Sequence, residues 1–163
     1  MRKTILFSIF ILMFSAIISA QNKTSPKISE VRAHLIYEKN GELSRDIFKG
    51  EFILWNAIIG EGDAEWHTSS TLVYVVVETD GKEIKTDPVM QFSATSEDGK
   101  RVKYQKTSAY NFPTTGASKV FVPFLLHDTG CQKIKLTAKL VEKNAPTKIY
   151  QTVAKEIPFA CGE

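Results

Sequence analysis

The sequence predicts an all-β protein, a single antiparallel β-sandwich of seven to eight strands. Three observations lead there. Apolar residues recur with period two over short stretches, turn residues separate those stretches, and no window carries a capped 3.6-residue period.

The elements follow in order. Val31, Ala33, Leu35 and Tyr37 alternate with Arg32, His34, Ile36 and Glu38, so a first strand buries one face. Asn40-Gly41 is a hairpin-type turn. Glu51–Ile59 reads as a second strand and Thr71–Thr79 as a third, closed by Asp80-Gly81. Met90, Phe92 and Ala94 alternate with Gln91, Ser93 and Thr95 up to a turn at Asp98-Gly99, and Val102 and Tyr104 alternate with Lys103 and Gln105. Lys119–Leu126 carries Pro123, which has no N–H to give a ladder and therefore predicts an edge or bent strand. Ile134, Leu136, Ala138 and Leu140 alternate with lysines and a threonine, and Ile149–Phe159 closes the chain. Strands of this length and spacing resemble the immunoglobulin-like sandwich in architecture, with a small β-barrel as the alternative.

Two strands lack a polar face. In "FILWNAII" (52–59) and "TLVYVVV" (71–77) both sets of alternating positions are apolar. A loop or the N-terminal segment covers the second face, or the surface near Leu54 and Tyr74 is an interaction patch, since large apolar areas rarely stay bare. Asn56, inside the first of these runs, needs partners for its amide, and a hydrogen bond to a neighbouring loop is the expected role.

The N-terminus has the form of an export signal. Arg2 and Lys3 precede an apolar run over Ile5–Ile18, and Ser19-Ala20 supplies small residues for cleavage. The run is shorter than the ~20 residues of a comfortable membrane span, and no cysteine follows it for a lipid anchor. The expected organisation is a signal peptide over 1–20, a flexible segment over 21–27 and the β-sandwich domain over 28–163. The expected location is secreted or periplasmic, with no stable membrane insertion after cleavage. Gln21 becomes the new terminus. Asn22-Lys23-Thr24 fits a glycosylation sequon, relevant only in a eukaryotic secretory route. Loss of Arg2 and Lys3 lowers the formal charge of +3 to about +1. The lysines at 133, 135 and 139 alternate along one solvated face, and no basic–aromatic ladder marks a nucleic-acid surface.

The stretch "IIGEGDAEWHTSS" (58–70) holds the candidate site. Glu61, Asp63 and Glu65 are hard oxygen ligands of the kind calcium takes, although the spacing is not that of an EF-hand. Trp66 with Tyr110 and Phe112 would make an aromatic platform for a sugar or peptide. His67, His34 and His127 lie too far apart in sequence for a metal motif, so no metal or other cofactor is assigned beyond the calcium alternative. The competing reading makes the stretch a long crossover loop with Trp66 as its anchor. No G-x-S-x-G elbow, H-E-x-x-H pair or Walker loop is present, which points away from an enzyme and assigns no catalytic residue.

Cys131 and Cys161 are expected to pair, as two cysteines in an exported chain do. The turn "NAPT" (144–147) would join the last two strands as a hairpin. Facing core positions such as Ile134 and Ile157 then have numbers summing to 291, while the cysteines sum to 292. A bulge at Pro158 or at Gly130-Cys131 would absorb that mismatch. The functional expectation is an exported, non-enzymatic module that binds a protein partner. A calcium or carbohydrate domain is the alternative, and a hydrolase with a dispersed site is the third reading.

Overall fold

The computed structural model describes residues 26–79, 88–100, 102–109 and 119–162. The expected signal peptide, the sequon, the expected turn at Asp80-Gly81, and Tyr110 and Phe112 of the expected aromatic platform lie outside the described residues. Among the described residues, seven strands form two antiparallel sheets: β1 (Lys27–Ile36), β2 (Ser70–Glu78), β3 (Pro88–Ser96), β4 (Lys103–Ala109), β5 (Lys119–His127), β6 (Ile134–Glu142) and β7 (Ala145–Ile157). The three-stranded sheet has the order β1-β2-β5 and the four-stranded sheet β4-β3-β6-β7. The chain thus changes sheets between β2 and β3, between β4 and β5, and between β5 and β6, as in an immunoglobulin-like sandwich with β4 joined to β3. Neither sheet closes into a barrel. β1 begins at Lys27, inside the segment expected to be free.

Alternation decides which side chains enter the core. Val31, Ala33 and Leu35 of β1, Val73, Val75 and Val77 of β2, and Val122, Phe124 and Leu126 of β5 face Met90, Phe92 and Ala94 of β3 and Ile134, Leu136, Ala138 and Leu140 of β6, all buried. Phe92 and Phe124 stack across the sheets at 4.2 Å, and Tyr104 meets both edge-on. Each buried large apolar side chain stabilises the fold by about 1.5–3 kcal/mol relative to exposure. Burial also pushes the Tyr104 hydroxyl pKa upward.

The outer edge of β1 is covered by the segment that follows it. Ser44 N–H donates to Leu35 O at 3.0 Å and Ile47 N–H to Ala33 O at 2.9 Å. Side chains satisfy the rest: Leu35 N–H donates to Ser44 Oγ and Ala33 N–H to Asp46 Oδ1. Further along, the Gln151 carboxamide accepts from Ile28 N–H and donates to Ile28 O, tying β7 to β1. These contacts remove a bare edge that would otherwise template pairing. Pro123 stands on β5, the opposite edge of the same sheet, as its missing N–H requires.

Two expectations fail in detail. Glu51–Ile59 is not a strand. Alternation persists only from half-buried Phe52 through exposed Ile53 and buried Leu54 to exposed Trp55. Asn56 then turns left-handed (φ 46°, ψ 35°), one 3-10 turn follows over Ala57–Ile59, and Gly60 is left-handed at φ 81°. Asparagine and glycine tolerate that region, and two such residues four apart end any ladder. With β1's edge already covered, the extended part pairs instead with the C-terminal tail. Asn56 N–H donates to Ala160 O at 2.8 Å and Ala160 N–H to Leu54 O at 3.1 Å.

The last hairpin is the second case. Pairs from Ile134↔Ile157 to Leu140↔Gln151 keep the sum of 291 that the core faces require. The slack sits at the turn end, where the register shifts on either side of Val141, and the chain reverses at Lys143-Asn144. No bulge is needed at Pro158 or Gly130-Cys131, because the ladder ends at Ile134↔Ile157 and the cysteines lie beyond it. They form the expected disulfide, with Cα atoms 4.9 Å apart.

Candidate functional site

The loop between Glu51 and Ser70 crosses one end of the sandwich, and its backbone is fixed at several points. Asp63 clasps Ile53 twice: its N–H donates to Ile53 O at 2.9 Å, and its Oδ2 accepts from Ile53 N–H at 2.9 Å. The same carboxylate takes Arg45 at 3.2 Å. Gly62 (φ 69°) lies under this clasp, where a Cβ would strike Ile53 O. Glu61 accepts from Asn56 Nδ2 at 2.7 Å, and Gly162 N–H donates to Asn56 Oδ1 at 3.0 Å. The Asn56 amide therefore plays the structural role expected of it.

Yet this fixed loop keeps its large apolar side chains in water. Ile53 is 60% exposed, Trp55 47% and Ile59 52%, and Ile58 and Trp66 are exposed as well. Trp55 packs over Gly162, and Ile58 packs against Gly130, so the two flank the disulfide that joins their neighbours Cys161 and Cys131. The sequence reading did not include Ile53, Trp55, Ile58 or Ile59 in the site, because it placed them on a strand. The available signal was the polar Asn56 amid two-sided apolarity, followed by Gly60 and Gly62.

The other site residues do not converge. Glu61 and Asp63 are turned to Asn56 and to Ile53 with Arg45, while Glu65 faces solvent. Trp66 carries the Lys39 ammonium 3.3 Å from its ring centre. His67 is exposed in the loop, and its carbonyl accepts from Glu38 N–H. His34 Nδ1 lies 2.8 Å from Ser44 O, and its ring meets Tyr74 edge-on. His127 Nδ1 faces Ser70 Oγ at 3.2 Å across the β2–β5 ladder. No carboxylate hydrogen-bonds that imidazole among the described residues. Among the described residues no three His, Cys, Asp or Glu side chains are grouped to hold a metal. No family model matches the chain, and no curated protein is similar to it in sequence.

The molecule has two further candidate surfaces. A cleft of about 210 Å³ opens between β1 and β7, lined by Glu30, Asp46, Phe48, Lys49 and Lys155 among others. Its charges are spoken for: Glu30 pairs with Arg32 at 2.6 Å and Lys49 at 3.4 Å, Asp46 accepts backbone N–H groups, and Lys155 lies over Phe48. The outer face of the three-stranded sheet carries half-buried Leu72 and Tyr74 beside exposed Phe121 and Leu125, with the Arg32 guanidinium over Phe121. The crossover differs from both in joining exposed tryptophan and isoleucine to a backbone held from three sides. Such an arrangement suits recognition, because a backbone already held in place lowers the ordering cost of binding through its aromatic and aliphatic side chains.

Proposed function

We propose that this protein is an exported, non-enzymatic β-sandwich module that binds a protein partner in the periplasm or cell envelope through its crossover loop. The observation that carries the reading is the set Ile53, Trp55, Ile58 and Ile59, exposed on a loop fixed by hydrogen bonds. A loop of this length usually turns such residues inward or stays polar; a rigid apolar display is the form of a binding hot spot. The disulfide supports export, since such bonds persist in oxidising compartments. No helix among the described residues is long and apolar enough to cross a membrane.

The test is site-specific photo-crosslinking in the source cells. A photoreactive phenylalanine analogue at Ile59 should join one protein, and the adduct should vanish when Trp55→Ala is added. The same analogue at Lys135, on the outer face of the four-stranded sheet, should give none. Equal labelling from both positions would remove the crossover from consideration. A melting midpoint that rises with calcium and falls with EDTA would favour the cation reading instead.

A further inference from the structure

The apolar anchors of the crossover sit in a net acidic field. Between residues 51 and 67 there are four acids, Glu51, Glu61, Asp63 and Glu65, and no lysine or arginine. Glu38 adjoins this stretch through its backbone bond to His67, and exposed Asp128 lies two residues before the Gly130 on which Ile58 packs. Cations beside this stretch are engaged, Arg45 on Asp63, Lys39 on the Trp66 ring and Lys49 on Glu30. The whole chain carries a formal charge of +3, so this concentration of carboxylates is local.

Resting on the function proposed above, we infer that the partner is a cationic protein surface, an apolar pocket bordered by lysine and arginine. Trp55 and the Ile58–Ile59 pair fill the pocket, and Glu51, Glu61 and Glu65 meet the basic border. A neutral border would desolvate these carboxylates without compensation, and an acidic one would repel them. The same field rejects polyanions and anionic bilayers. Association is steered by charge and weakens with salt, whereas the hold on the anchors does not.

The probe is a synthetic amphipathic helix of leucine and lysine, compared with a leucine and glutamate peptide of the same pattern. Binding is read from tryptophan emission at low and high salt. The lysine peptide should bind at least about tenfold more tightly than the glutamate peptide, and this margin should shrink between about 0.05 and about 0.5 M salt as screening shortens the field. Glu51→Gln with Glu65→Gln, neither side chain being used inside the fold, should also shrink it. Trp55→Ala should abolish binding, read by peptide anisotropy. Equal binding of the two peptides, salt-independent binding, or no binding of the lysine peptide overturns the inference. Equal binding that Trp55→Ala still abolishes removes the charge preference alone and leaves the crossover as the site. Lysine-peptide binding indifferent to Trp55→Ala removes the proposed site itself. A blue shift of Trp55 emission on phosphatidylglycerol vesicles would place a bilayer on the loop and overturn the protein partner.

Discussion

Asn56 and Gly162 are hydrogen-bonded at 3.0 Å although 106 positions separate them. The Asn56 amide also donates to Glu61, its backbone N–H donates to Ala160 O, its carbonyl accepts from the Ile59 and Glu61 N–H groups, and its backbone is left-handed. One residue therefore joins the crossover loop to the end of the chain.

This linkage predicts an order of stabilities. Asn56→Gly removes the two side-chain hydrogen bonds, each worth about 1 kcal/mol net, but keeps an unstrained backbone. Asn56→Ala loses the same bonds and adds about 1–2 kcal/mol of left-handed strain. Urea midpoints should fall in the order parent, Gly, Ala. An alanine variant as stable as the glycine one would contradict this role.

Gly162→Ala tests the display of Trp55. A Cβ at Gly162 would run into the indole ring, and its backbone φ is not in the left-handed region. The ring is half in water and can swing away, so stability should change by no more than about 1 kcal/mol. In a Trp66→Phe background, which leaves Trp55 as the single tryptophan, emission should shift and partner binding should weaken. Unchanged emission would mean that Trp55 does not rest on the tail.

The core of this arrangement was legible in the sequence because alternation has one meaning when a sheet covers another. Val31, Ala33 and Leu35, or Ile134, Leu136, Ala138 and Leu140, are buried as their spacing requires. The crossover was not legible, because "FILWNAII" satisfies a strand's pattern at Phe52–Trp55 and then departs from it. What directs the departure is long-range: Ser44 and Asp46 occupy the β1 edge, and the Ala160 backbone pairs with Leu54 and Asn56 instead. Exposure of Ile58 and Ile59 follows from that; Asn56, Gly60 and Gly62 mark locally where the strand pattern breaks, but not which way the side chains then face.

Acid should loosen the three-stranded sheet. Arg32, by hydrogen bond and charge, and then Lys49 hold the Glu30 carboxyl below its usual value of 4.5; Lys119 and Lys27 do the same to Glu78. A carboxyl lowered in the folded state stabilises above its unfolded value and loses that contribution as pH falls through the folded one. Stability should therefore decline as pH falls through and below the ordinary carboxylate range, more gently at high salt because both groups are near the surface. Glu30→Gln should flatten this acid limb. A limb parallel to that of the parent would show that the pair contributes nothing.

Reduction of the disulfide should affect two properties that are usually separate. Cys131 and Cys161 close a separation of 30 residues, worth about 3–4 kcal/mol in the chain-entropy model. The bridge also holds the tail whose Ala160 and Gly162 bond to Leu54 and Asn56. Cys131→Ser with Cys161→Ser should therefore lower the urea midpoint. It should also speed hydrogen exchange at the Asn56 and Ala160 amides more than at amides inside β3, because the tail then opens locally without the sandwich. Thiol titration of the denatured, unreduced protein should find no free thiol. A variant with a lower midpoint but unchanged protection at Asn56 would mean that the tail is held by its own hydrogen bonds, and that the bridge serves the sandwich alone.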